Sequence, residues 1–84
     1  MLKISKNIVV EKLGEDLIIL DLISGEYFEA NELGSLIINE LKKNQDIEQI
    51  KKTIMQKFNV KDAVAEDDLM KFINQLDKKG LLEN

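Results

Sequence analysis

The chain has 84 residues, a formal net charge of −4, 44% hydrophobic residues and 33% charged residues, which is typical of one small globular domain spanning residues 1–84. It contains no His, Cys, Arg, Trp or Pro. These absences exclude a histidine general base, an imidazole or thiolate metal site, a disulfide framework and an arginine phosphate clamp, so we expect no enzyme activity, cofactor or metal.

The first third of the chain predicts two strands joined as a hairpin. Residues 1–6 are polar and irregular, and we expect them to form a loosely held lead-in. Residues 7–13 are rich in β-branched side chains, and residues 16–22 are strongly apolar. Gly14 and Glu15 between them suit a two-residue turn with glycine first, so the two strands should pair antiparallel.

The second strand is apolar on both faces, so alternation alone does not show which face is buried against the helices. We expect Ile18, Leu20 and Leu22 to face the helices. The other face then carries a small outer cluster or, as the alternative, a dimer surface. Its members are Leu17 and Ile19, with partial cover from Val9 and Tyr27.

A third strand at residues 26–30 is expected to leave one edge of the sheet open. Ser24-Gly25 is a turn signal, and Asn31 can cap a following helix by accepting a backbone N–H. Phe28 and Ala30 should point toward the core. Because the strand leads directly into a helix, no further hairpin covers its far side, and a row of backbone N–H and C=O groups stays unpaired.

Three amphipathic helices are predicted after the strands. The first covers residues 32–43, and the second begins after Asp46 and ends at Asn59. The third covers residues 63–79, with Asp62 as its cap. The resulting order, β-β-β-α-α-α, is an α+β fold in which a three-stranded antiparallel sheet precedes three helices, and it is compatible with a winged helix-turn-helix arrangement.

Two motifs resemble one protein family. The segment SGEYFEAN, followed by Leu33-Gly34 and Ile37, resembles the "sGxyfxlN" signature of proteins related to pyrroloquinoline quinone biosynthesis protein D (PqqD). The later run from Asp68 to the Gly80-Leu81-Leu82 ending resembles that family's "Dv..fl..L...GLl" pattern. The resemblance covers nearly the whole chain, with Ala30 in place of the leucine usual before the asparagine.

This resemblance implies a stand-alone recognition element for ribosomally made precursor peptides. Such a domain binds the leader segment of the precursor and presents it to a modifying enzyme or leader peptidase, in lasso-peptide, radical-SAM and other pathways. The leader would add as a strand to residues 26–30, against the third helix, and no catalytic residue is implied. The expected peptide-binding residues are Glu26, Tyr27, Phe28, Glu29, Ala30, Asp68, Lys71, Phe72, Gln75 and Lys79. On the third helix, the opposite flank of Glu66, Met70 and Asp77 is the alternative.

Three other interpretations of the sequence compete with a leader-binding domain. A winged-helix DNA-binding protein would use the third helix, but the exposed carboxylates of that helix repel phosphates, so we expect no nucleic-acid partner. An acyl-carrier protein would use Ser35, which falls inside the first helix. The remaining reading is an interaction domain that shares only the scaffold. We expect a cytoplasmic protein with no membrane partner, either a monomer or a weak or swapped dimer.

Overall fold

The computed structural model describes residues 2–83 and confirms the predicted α+β order. In chain order the elements are β1 (Lys3–Ile4), β2 (Ile8–Leu13), β3 (Asp16–Asp21), β4 (Tyr27–Ala30), α1 (Glu32–Lys42), α2 (Ile47–Phe58), α3 (Asp62–Lys78) and β5 (Leu82–Glu83). β2, β3 and β4 form an antiparallel sheet in that order. Helix α1 packs on one face of this sheet, α2 packs against α1 and α3, and the core lies among the sheet and the three helices.

The face of the sheet that is turned to the helices is the opposite of the predicted one. Leu17 and Ile19 are 5% and 1% exposed, whereas Leu20 is 36% exposed. Ile19 lies opposite Phe28, and Leu17 lies opposite Ala30, so these side chains share the inner face. The expectation was therefore wrong for Ile18, Leu20 and Leu22. A strand with apolar side chains on both faces does not show by alternation which face is buried.

The outer face of the sheet carries the apolar cluster that was expected, with different members. Val9, Leu20 and Tyr27 lie side by side across the three strands. All three are exposed, as is Leu22 just beyond β3. Leu20 and Leu22 thus occupy the place that was predicted for Leu17 and Ile19.

Residues near the N-terminus are held more firmly than predicted. Lys3 pairs with Glu83 and Ile4 pairs with Leu82, which makes β1 and β5 a second, two-stranded antiparallel sheet. The Ser5 N–H also donates to the carbonyl of Leu81 at 2.7 Å. The expectation of a loose lead-in was wrong for this segment, while Met1 lies outside the described residues.

The predicted start of α1 and both predicted limits of α2 are confirmed, whereas α1 ends at Lys42, one residue earlier than predicted. The Asn31 side chain accepts from the N–H of Gly34 at 3.0 Å, and Asp46 accepts from the N–H of Gln49 at 2.8 Å. Each bond satisfies a backbone donor that the first turn of a helix leaves unpaired. Asn59 ends α2 with a left-handed backbone, at a φ of 52°.

The prediction for the start of α3 was wrong, because Asp62 is its first residue rather than its cap. Lys61 occupies the cap position and makes no side-chain cap bond. The carboxylate of Asp62 instead lies 3.2 Å from the ammonium of Lys51, on α2. This hydrogen bond, with a smaller contribution from Glu48, raises the pKa of Lys51 against the opposing effect of burial. Asp62 therefore ties α3 to α2.

Candidate functional site

One side of β4 is a free sheet edge within residues 2–83, as the sequence predicted. β4 pairs with β3 alone among the described strands. The N–H of Asp21 donates to the carbonyl of Glu26 at 2.9 Å, and bonded pairs of this kind recur at every second residue of an antiparallel ladder. The backbone groups of Tyr27 and Glu29 must then point away from β3. These two residues offer two N–H donors and two C=O acceptors to a further strand.

A cleft separates the C-terminal end of β4 from α3. Its first part has a volume of about 300 Å³ and is lined by Asp16, Glu29, Ala30, Asn31, Phe72 and Gln75. Its second part, of about 210 Å³, is lined by Asn31, Leu33, Gly34, Asp68, Lys71, Phe72 and Gln75. Asn31, Phe72 and Gln75 border both parts, so the two parts adjoin. The cleft therefore begins beside the free edge and has α3 as its wall.

The ring of Phe72 packs directly against Gly34, with Ala30 beside the same glycine. An ideal Cβ built on Gly34 would lie 2.7 Å from Cε1 of Phe72 and 3.1 Å from Cβ of Ala30. Both distances are shorter than the roughly 3.5–4.0 Å at which carbon atoms attract each other best, and the first is too short for a real contact. Glycine thus lets α1 approach α3 closely enough for Phe72 to pack against the core with one face and line the cleft with the other.

Lys79 lies over the inner side of β4. Its ammonium is 4.3 Å from the centre of the Phe28 ring, which is a cation–π geometry. At the other end of the strand, the acidic residues Asp16 and Glu29 are among those that border the cleft. The surface beside the free edge is therefore positive near Phe28 and negative near Ala30.

The outward flank of α3 carries both charge signs. Lys71 forms an ion pair with Asp67 at 2.9 Å, and the hydrogen bond that its ammonium donates to the Asp67 carboxylate raises the pKa of Lys71. Asp68 lies half-buried in the second part of the cleft. Such a flank can bind positively or negatively charged groups beside the apolar ring of Phe72.

The structure brings most of the predicted site residues together. Those that border the cleft are Glu29, Ala30, Asp68, Lys71, Phe72 and Gln75. Phe28 and Lys79 contact each other on the inner side of β4 and do not line the cleft. The Tyr27 side chain is 73% exposed on the outer face, so only its backbone faces the free edge. Glu26 precedes β4 and bonds to β3 through its carbonyl.

Four cleft residues were absent from the predicted set. They are Asp16, Asn31, Leu33 and Gly34. Gly34 carried a usable signal, because glycine inside a helix is unfavourable and points to a close packing contact. No pattern in the sequence around Asp16 identifies it as a cleft residue, since it reaches the cleft only through the pairing of β3 with β4.

The reading as an acyl-carrier protein is contradicted by the position of Ser35. Its side chain is buried, and its hydroxyl donates to the carbonyl of Ala30 at 3.2 Å. A carrier serine must be exposed to accept a prosthetic group. Between residues 2 and 83, no helix is long and apolar enough to cross a membrane, and no three acidic side chains are grouped as a metal site would require.

Together the fold and the cleft define a small α+β domain with a vacant sheet edge beside a helix. The structure of "TbiB1 in Complex with the TbiA(beta) Leader Peptide" is similar to it with a TM-score of 0.93 and 32% sequence identity, over 98% of this chain and 95% of that chain. The structure of "Lasso peptide synthetase B1 complexed with the leader peptide" has the same fold, with a TM-score of 0.89 and 22% identity over 99% of this chain and 98% of that one.

The family comparison agrees with the structural one. Residues 16–82 match the model of the family described as coenzyme PQQ synthesis protein D (PqqD). The chain therefore belongs to the PqqD family. No curated protein sequence was found to match it.

Proposed function

We propose that this chain is a non-catalytic recognition protein that binds the leader segment of a ribosomally made precursor peptide. The leader adds as a fourth strand to β4 and lies against α3. The observation that carries this proposal is the free edge of β4 within residues 2–83, which lies directly beside a cleft walled by a helix. Membership in the PqqD family supports it, as does the leader peptide in the solved relative that is 32% identical.

The backbone of β4 alone gives too little affinity for specific binding. Tyr27 and Glu29 offer up to four hydrogen bonds, each contributing about 1 kcal/mol net. Ordering the peptide costs roughly 2–5 kcal/mol, and micromolar binding needs about 8 kcal/mol. Buried apolar side chains contribute about 1.5–3 kcal/mol each, so the leader must supply two or more of them.

The cleft is where those apolar side chains bind. Alternate residues of an added strand point to the same face as Phe28 and Ala30, which is the face that α3 borders. Phe72 supplies the apolar surface there, and Gln75 supplies hydrogen-bonding groups. The side chain of Tyr27 faces the other way, so its contribution to binding comes from its backbone.

The chain delivers the bound precursor to a separate modifying enzyme or leader peptidase, in a pathway of the lasso-peptide or radical-SAM type. Its own side chains include no histidine or cysteine to act as a base or nucleophile. Binding holds the leader on one side of the domain and leaves the remainder of the precursor accessible to the enzyme.

Substitution of Glu29 by proline tests the added strand directly. Proline removes the outward N–H of residue 29 and leaves the bonds between β4 and β3 in place, because those bonds involve the alternate residues. The matched control is Glu29→Ala, which loses the same carboxylate and keeps the N–H.

The probe is a synthetic peptide with the leader sequence of the cognate precursor, and its affinity is measured by calorimetry. We expect Glu29→Pro to bind at least about fivefold more weakly than Glu29→Ala, the equivalent of one lost hydrogen bond of about 1 kcal/mol. Equal affinities of the two variants would show that the leader does not pair with β4.

A further inference from the structure

A second pocket lies at the opposite edge of the sheet. It has a volume of about 320 Å³ and is bordered by β1, β2 and the last turn of α1. Its apolar residues are Ile4, Ile8, Val10 and Leu41. Its polar residues are Lys3, Ser5, Lys6, Lys42 and Asn44. The volume is at the lower end of the range of about 300–1,000 Å³ that is typical of ligand pockets.

The lysines give this pocket a charge opposite to that of the whole chain. Lys3, Lys6 and Lys42 are exposed, and none of them forms an ion pair with another described residue. Two acidic residues lie close by, because a carboxylate oxygen of Glu83 is 3.4 Å from the backbone nitrogen of Lys6 and Asp21 lies opposite Ile8, but the lysines outnumber them. Three positive charges around an apolar floor, on a chain with a net charge of −4, favour an acidic ligand that also has an apolar part.

The pocket also borders an unpaired strand edge. The N–H of Leu22 donates to the carbonyl of Asn7 at 2.9 Å, so the residues of β2 that bond to β3 are Val9, Glu11 and Leu13. The backbone groups of the alternate residues, Ile8, Val10 and Lys12, then point away from β3. In the described chain no other strand pairs with β2. Ile8 and Val10 therefore offer backbone groups to the edge and side chains to the pocket.

We propose that this pocket and the free edge of β2 form a second peptide-binding site, which holds an extended acidic segment of the enzyme that acts on the bound precursor. An apolar side chain of that segment enters the pocket, and its carboxylates bind Lys3, Lys6 and Lys42. The identity of this partner rests on the proposed function, whereas the chemistry of the segment rests on the pocket alone. The apolar floor favours a peptide over a phosphate, which would use only the lysines.

The two sites are compatible with simultaneous occupation. A leader on β4 and a segment on β2 would be separated by four strand spacings, or about 19 Å at about 4.8 Å for each. The leader strand does not cover any residue that lines the second pocket. One domain could thus hold the precursor at one edge of its sheet and the enzyme at the other.

The first experiment uses a synthetic peptide of about eight alternating Glu and Val residues with blocked ends, a length matched to a typical strand. In a titration followed by NMR, we expect shifts of the amide resonances of Ile8, Val10, Lys12 and Leu41. The matched peptide with Gln in place of Glu should bind at least tenfold more weakly. Equal binding of the two peptides, or shifts confined to β4, would overturn the proposal.

Charge reversal in the protein provides the second arm. Lys42→Glu should weaken binding of the acidic peptide at least tenfold, whereas Lys52→Glu, at an exposed position of α2 outside the pocket, should leave it unchanged. Equal weakening by both variants would show that only overall charge matters. Binding of a short duplex DNA at the same residues, with no binding of the acidic peptide, would contradict a peptide ligand.

The third experiment tests whether the modifying enzyme occupies the second site, and it distinguishes a failure of this proposal from a failure of the proposed leader binding. A variant with Lys3, Lys6 and Lys42 all changed to Glu should bind the leader as the wild type does and should no longer co-purify with the co-expressed enzyme that modifies the cognate precursor. Retained co-purification would refute the enzyme as occupant. Failure of the leader to bind the wild-type protein, with the acidic peptide still bound at β2, would instead refute the proposed function and leave the second site standing.

Discussion

The close contact between Gly34 and Phe72 allows the effect of a substitution on the free energy of unfolding to be predicted. In Gly34→Ala the new methyl group would lie 2.7 Å from Cε1 and 2.9 Å from Cζ of Phe72. The change gains about 1 kcal/mol of helix propensity and costs about 1–3 kcal/mol through overpacking. We therefore expect a free energy of unfolding that is unchanged or lower by up to about 2 kcal/mol.

A double variant that combines Gly34→Ala with Phe72→Leu separates the clash with the ring from the effect of the alanine on the helix itself. Leucine lacks the Cε1 and Cζ atoms that meet the new methyl group, so the alanine at residue 34 should then be tolerated. We expect the double variant to be more stable than the sum of the two single changes by at least about 1 kcal/mol, which is typical of residues in direct contact.

Chemical denaturation of the wild type, the two single variants and the double variant measures this coupling. Additivity within about 0.5 kcal/mol would refute the account of Phe72 as a ring seated on Gly34. Calorimetry with the leader provides a second readout. The displaced ring of Gly34→Ala should narrow the cleft and weaken leader binding about tenfold or more, while Lys52→Ala, outside the cleft, should leave it unchanged.

Three further predictions concern the fold and its charges. In denaturation experiments, Leu17→Ala should cost about 2–5 kcal/mol and Leu20→Ala less than about 1 kcal/mol, and equal costs would contradict the orientation of the sheet. Lys79→Met should lower the free energy of unfolding by about 0.5–1 kcal/mol through loss of the stacked cation, and no change would show that the contact adds nothing. Because the pKa of Lys51 is raised in the folded state, its stabilising effect is complete below the ordinary lysine pKa of 10.5 and is lost as the pH rises through the higher folded value. Asp62→Asn should therefore flatten the loss of stability at alkaline pH, and an unchanged slope would contradict the pairing.

Features encoded by neighbouring residues could be predicted from the sequence. Asn31 and Asp46 accept hydrogen bonds from backbone groups three residues away, so the helix starts are local signals. The free edge of β4 was also predictable, because a strand of this kind leads directly into a helix. The caps depend on residues three positions apart, and the free edge depends on the order of the elements along the chain. Neither feature requires knowledge of tertiary packing.

Features that depend on distant parts of the chain could not be predicted. β1 pairs with β5 at the far end of the sequence, and two residues on each side carry no pattern that identifies the partner. The buried face of β3 was ambiguous because Leu17 and Leu20 are equally apolar. The α3 residues that border the cleft share one flank of the helix, whereas Asp16 reaches the cleft only through the pairing of β3 with β4.

Amide hydrogen exchange of β4 tests the central claim most directly. In the free protein, the N–H groups of Phe28 and Ala30 bond to β3, while those of Tyr27 and Glu29 face the open edge of the described sheet. On saturation with the leader, we predict that exchange at Tyr27 and Glu29 slows at least about tenfold, as expected for newly bonded amides, while Phe28 and Ala30 change little. Unchanged exchange at Tyr27 and Glu29 in the saturated complex would contradict strand addition at β4.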